Sequence, residues 1–218
     1  MTLPVLLILG AGPGLGRAVA HRFHGDGYKI VLAARSDHRL GQLADDLRGA
    51  GTKVDTVAVD LTDEEAVRRA VDEVGRKHGH IDVLHFNPSA FRQKDPLALT
   101  VDELLDDLRL GVAPLLPAVQ AARPYLRAGA RVVVTGSAAA DKPWNQAASL
   151  GVQKAALRNL VISLDTTLAP DGIRAVNVQV DGVLAQSGTF GASNVASAIH
   201  AAVVRREAEW TPLVHYPG

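Results

Sequence analysis

Apolar positions along this chain follow two alternating rhythms. Short, almost uninterrupted apolar runs occur at Val5–Leu9, Ile30–Ala34, Val54–Val59, Ile81–Phe86, Arg131–Thr135 and Ile173–Val180. Runs of that length without polar alternation predict strands covered on both faces. Between them the spacing changes to three and four: Leu15, Val19 and Phe23; Leu40, Leu43, Ala44 and Leu47, ending near Gly49 and Gly51; Val67, Ala70, Val71 and Val74; and Val195, Ile199 and Val203. Each set marks one face of an amphipathic helix. Trp144–Leu168 reads as a long Ala-rich helix stopped by Pro170 and Gly172. Thr62 with Glu65, and Thr100 with Glu103, read as capping boxes. Gly111, Pro114 and Pro117 predict a kink in the helix after Thr100, and Leu213–Tyr216 an edge strand.

Strands alternating with helices imply a doubly wound parallel α/β sheet of Rossmann type, with helices on both faces in three α/β/α layers. No repeat or low-complexity linker divides the chain, so residues 1–218 read as one dinucleotide-binding domain, with a short substrate loop at about 183–193.

Composition narrows the function by exclusion. The 23 basic and 23 acidic residues cancel, which argues against nucleic acid or an anionic membrane as a partner. With no cysteine, thiolate nucleophiles, disulfides and Cys-ligated zinc are out of reach. The eight histidines show no ligand spacing, so no metal site is expected. The opening LPVLLILG is too short to span a bilayer and runs into glycines; a cytoplasmic protein is expected.

The loop GAGPGLGR joins the first strand to the first helix. It fits GxxxGxG on Gly10, Gly14 and Gly16, and does not fit GxGxxG. Gly10 would allow a tight turn, Gly14 a close backbone approach and Gly16 close helix–strand packing. A pyrophosphate would then rest on the N–H groups around Gly12, Gly14 and Leu15 at the helix start. The second strand ends in AARS. An acidic residue there would bind a ribose diol, whereas an arginine accommodates a 2′-phosphate. Arg35 therefore favours NADP(H) over NAD(H), and counts against a methyltransferase. Asp37, two residues on, reads as a helix cap.

With these motifs the chain resembles the short-chain dehydrogenase/reductase family over nearly its whole length. GAGPGLG is similar to that family's TGxxxGxG loop, with Leu9 in place of threonine. VDLTD places Asp60 and Leu61 where the family contacts adenine. HFNPSA keeps only Asn87 of an NNAG motif. VVVTGSAAA puts Ser137 at the family's catalytic serine, and VNVQVDG matches a stretch usually ending in Pro-Gly, which brings Gly182 and Val183 to the cofactor.

The resemblance also shows what is missing. The family's YxxxK begins thirteen residues after the serine, which puts Leu150 at the tyrosine and Lys154 at the lysine. Its supporting asparagine aligns with Gly111. The family reaction needs hydride from a nicotinamide and a proton on the developing alkoxide; the tyrosine supplies that proton and the serine holds the oxygen. Leucine can do neither. Tyr28, Tyr125 and Tyr216 are not expected near position 150. His85 reads as a packed strand residue and Trp144 as a loop aromatic.

The resemblance thus implies a divergent NADP-dependent oxidoreductase acting on a small carbonyl or hydroxyl substrate, in which Ser137 polarises the substrate oxygen and Lys154 holds the cofactor ribose. The alternative is a non-catalytic NADP(H)-binding module, either a redox sensor or the partner of an active homologue. A homodimer or homotetramer is expected, joined through the helices around 101–126 and 144–168.

Overall fold

A computed structural model describes residues 2–218. Among them lie seven strands, β1 (Val5–Leu9), β2 (Lys29–Ala34), β3 (Val54–Ala58), β4 (Val83–Phe86), β5 (Arg131–Ser137), β6 (Arg174–Val180) and β7 (Leu213–Tyr216). The helices are α1 (Leu15–His24), α2 (Asp37–Gly49), α3 (Glu64–His78), α4 (Val101–Gly111), α5 (Leu115–Ala122), α6 (Ala148–Leu168) and α7 (Ala192–Val203). The strands form one parallel sheet in the order β3-β2-β1-β4-β5-β6-β7.

Side-chain alternation builds a core on each face. Val5, Leu7 and Leu9 of β1 join Val67, Val71 and Val74 of α3, Leu115 and Val119 of α5, and Leu157 and Val161 of α6. Leu6 and Ile8 point the other way, into α1, α2 and α7 through Val19, Phe23, Leu40, Leu47, Val195 and Ile199. With both faces covered, the central strands have no solvent side, which is why they are apolar throughout. The strand order reverses between β1 and β4, so the loops leaving β1, β2, β4, β5 and β6 gather along one edge, where open α/β sheets bind ligands.

Four local expectations change. The box at Thr62 and Glu65 does not form: Asp63 caps α3 by accepting from the Ala66 N–H, while the Thr62 hydroxyl donates to Asp60 Oδ1 at 2.7 Å. At the start of α2 the cap is Ser36, which accepts from the Arg39 N–H, and Asp37 is the first helical residue. The expected kink is a full break, with α4 ending at Gly111 and α5 starting after Pro114 at its N-cap. The long helix begins at Ala148, after a 3-10 turn over Asn145–Ala147. The Thr100–Glu103 capping box is present in full. Among the described residues no helix is long and apolar enough to cross a membrane.

Candidate active site

The glycine loop shows a division of labour. The N–H groups of Gly10 and Ala11 both donate to the Ala33 carbonyl, at 2.9 and 3.0 Å, which turns the chain out of β1. Gly10 has φ +78°, and a Cβ on it would lie 2.8 Å from the Pro88 nitrogen, so both conformation and space require glycine. At Gly16 a Cβ would come within 3.1 Å of Ala11 Cα, where the helix folds back onto the loop. At Gly12 and Gly14 a Cβ would meet nothing within 4 Å. Those two glycines leave the backbone open at the mouth of α1, whose N-cap, Gly14, has no side chain to cap it. Leu15 buries its side chain in the core and offers the mouth only its N–H.

At the end of β2 a cleft of about 790 Å³ is lined by Ala11, Gly12, Pro13, Arg35, Ser36 and Arg39, with Arg17 on its far wall. Arg17 is held by Asp46 at 2.5 Å. Arg35 and Arg39 enter no ion pair among the described residues. The sequence pointed to Arg35; Arg39, one helical turn on, was legible only once the cap at Ser36 had fixed where α2 begins. Next to this cleft a shallower one is lined by Gly10, Ala11, Arg35, Leu61, Asn87 and Pro88. Asp60 lies beside it; the Thr62 backbone N–H, then the Thr62 hydroxyl, and to a lesser degree the Arg35 charge, hold its carboxyl below the usual range.

Beneath the loop runs a chain of hydrogen bonds. Asn87 Nδ2 donates to the Gly10 carbonyl at 3.2 Å, and Asn87 Oδ1 accepts from the Thr135 hydroxyl at 2.8 Å. Because that hydroxyl proton is committed, the 3.0 Å contact with His85 Nε2 requires the imidazole to donate. Burial pushes His85 down to about 3, so it is neutral, and its role is structural.

Thr135 also touches the other half of the site, because its carbonyl accepts from Lys154 Nζ at 3.0 Å. Lys154 is 5% exposed, and burial lowers its ammonium to about 8, so it is still protonated at neutral pH. Ser137 ends β5 with its side chain half-buried; its Oγ accepts from the Ala139 N–H at 3.2 Å and keeps its own proton to donate. Leu150, also half-buried, lies one turn before Lys154 on α6. The tyrosines are engaged elsewhere: Tyr28 packs edge-on against Phe23, Tyr125 donates to Asp72 at 2.6 Å, and Tyr216 donates to the Thr189 carbonyl at 2.8 Å. Trp144 stacks on Phe91 with ring centroids 6.5 Å apart, both rings partly exposed, on loops that leave β5 and β4.

Beyond β6, a Cβ at Gly182 would overlap the Phe190 ring, and Val183 is exposed. The loop from Val183 to Gly191 closes on itself: the Ala185 N–H donates to the Phe190 carbonyl at 3.0 Å, and Asn194 Nδ2 to the Gly188 carbonyl at 2.9 Å. Between this loop and α1 lies an open cleft of about 960 Å³, lined by Pro13, Gly14, Arg17, Leu184, Gln186 and Ser193.

Known proteins are similar to this chain in sequence and fold. The short chain dehydrogenase family profile matches residues 4–190. Sulfoacetaldehyde reductase 2 of Chromohalobacter salexigens is 30% identical over 179 residues, 80% of this chain and 70% of the relative. Tropinone reductase-like 3 of Erythroxylum coca is 28% identical over 167 residues, 76% of this chain but under two thirds, 65%, of the relative's length. Among solved structures, a short chain dehydrogenase from Burkholderia cenocepacia in complex with NADP has a TM-score of 0.85 at 27% identity, covering 98% of this chain and 95% of that one. The profile spans most of the sequence and the parallel sheet agrees with the fold of that solved structure, so the chain belongs to the short chain dehydrogenase family.

Proposed function

We propose that this protein is an NADP(H)-dependent oxidoreductase that interconverts a carbonyl and a hydroxyl on a small substrate. The observation that carries the cofactor choice is the pair Arg35 and Arg39, two guanidinium groups outside any ion pair among the described residues, in a cleft continuous with the open backbone at Gly12. A 2′-phosphate is the group such a pair suits, through charge-assisted hydrogen bonds. The pyrophosphate fits the N–H groups at the mouth of α1, the adenine fits beside Asp60 and Leu61, and the nicotinamide half fits between Asn87, Lys154, Gly182 and Val183.

When bound, the nicotinamide supplies or accepts the hydride. The protein's own groups manage the oxygen. Ser137 Oγ–H donates to the substrate oxygen and stabilises the charge that develops on it. Lys154, charged at neutral pH, holds the ribose hydroxyls and lends its field to the same oxygen. Leu150 contributes no proton, so the alkoxide takes one from water or from the substrate itself. A second reading, a module that binds NADP(H) without turnover, is favoured by Leu150, because losing a positioned general acid removes a factor of about 10²–10⁴.

Titration with NADPH and NADH, together with NADPH oxidation across a panel of small carbonyls, tests both readings. NADPH is expected to bind more tightly. Arg35→Ala should weaken NADPH by about 1.5–3 kcal/mol and leave NADH nearly unchanged. Equal losses for both cofactors would sink the cofactor reading, and tight NADPH binding with no turnover on any carbonyl would establish the binding module.

A further inference from the structure

The side chain next to Lys154 has no part in the chemistry above. Gln153 is fully buried, and its carboxamide is spent on one residue: Oε1 accepts from the Ala90 N–H at 3.1 Å and Nε2 donates to the Ala90 carbonyl at 3.2 Å. A further contact of 3.4 Å reaches the Ser149 carbonyl. The amide thus pairs both polar groups of Ala90 as a neighbouring strand would, in a segment after β4 that has no strand partner of its own. That segment starts with Asn87 and Pro88, which line the shallow cleft and pack against Gly10. It continues through Phe91, and is tied down further along where Arg92 meets Asp107 and where the Ala148 N–H donates to the Lys94 carbonyl.

Gly111 explains how the carboxamide fits. Its φ lies outside the left-handed range, so conformation does not demand glycine there. Space does, because a Cβ on Gly111 would overlap Gln153 Oε1. The position where the resemblance places a supporting asparagine is therefore occupied, and the group that fills it is committed to Ala90. We infer that Gln153 is a positioning residue that holds the Asn87–Ala90 segment against the cofactor cleft, and that Gly111 is the space this clamp requires. The inference rests on the cofactor reading above for its functional consequence. Although the resemblance aligns Gly111 with an asparagine, Gly111→Asn would expel the clamp.

The test combines hydrogen exchange at the Ala90 amide with NADPH titration on the intact chain. Gln153→Leu should speed Ala90 exchange by about tenfold or more and weaken NADPH about tenfold, while thermal unfolding stays cooperative. Gly111→Ala, which leaves the carboxamide chemistry untouched, should do the same by displacing it. In a Gln153→Ala background, Gly111→Ala should have no further effect on either readout. Unchanged Ala90 exchange in Gln153→Leu, or a full effect of Gly111→Ala in that background, would overturn the clamp. Faster exchange with unchanged NADPH affinity would reduce Gln153 to a structural contact and overturn the positioning role. If wild-type protein binds no NADPH, the cofactor reading fails and the exchange arm still judges the clamp.

Discussion

Lys154 carries a charge almost wholly withdrawn from solvent, and this makes folding depend on pH in an unusual direction. In the folded chain its ammonium titrates at about 8, against 10.5 for an ordinary lysine. Below the lower value both folded and unfolded forms hold the proton, and the burial penalty is present in full. Between about 8 and 10.5 the folded form has released it and the unfolded form has not, so stability rises with pH across that window. Wild-type protein should therefore gain up to about 3 kcal/mol relative to Lys154→Met over this range, read from urea midpoints. At Leu150 the change is chemical. Leu150→Tyr puts a phenol one turn before Lys154, at a repacking cost of about 1–3 kcal/mol, and should raise reduction of small activated carbonyls by up to about 10⁴-fold. A folded, NADPH-binding variant with no gain would mean that the pocket no longer presents a substrate oxygen to this face. Ser137, Lys154 and Leu150 were legible because their spacing survives. Thr135 and Gln153 were not, because their roles depend on which side chains and backbone groups of distant segments they meet.

The elements were legible wherever periodicity and local chemistry agreed. The six apolar runs located β1 to β6 to within a residue or two, Leu213–Tyr216 was read separately as the edge strand β7, and Thr100 with Glu103 marked the start of α4. Thr62 misled because two acceptors compete nearby: Asp60 takes its hydroxyl and Asp63 takes over the cap. Pro114 was visible as a disturbance, but the sequence alone could not show that α5 restarts with it at the N-cap. Helix faces raise a further expectation. Val152 and Ile162 of α6 and Val101 and Leu105 of α4 are large apolar side chains left exposed. Val152, Ala155, Asn159 and Ile162 form one stripe on α6, with small residues that permit close approach of a second helix. We propose that a second copy of the chain covers this face. Val152→Glu with Ile162→Glu should convert a dimer or tetramer into monomer by light scattering without disturbing NADPH binding to the monomer. A wild-type monomer at micromolar concentration would count against the proposal.

For the molecule as a whole, the parallel sheet carries the candidate site residues to one edge, and the parallel sheet itself was readable from the alternation of strands and helices. The fastening of the loop after β6 was not, since it depends on Tyr216 of β7 reaching Thr189 and on the Phe190 ring over Gly182. That fastening bears on the tempo of the reaction. In many enzymes a cover must swing aside before product leaves, and that swing sets the maximum rate. Here the cover is short and bonded down on both shoulders, and beside it the 960 Å³ cleft along α1 stays open to solvent. Ligands should come and go without waiting for a gate, which leaves bond-making at carbon as the slow event. Deuterium at the transferred position of the reduced nicotinamide is then expected to slow steady turnover as much as it slows a single turnover. A steady-state isotope effect near unity beside a large single-turnover effect would show that something in the molecule opens slowly after all.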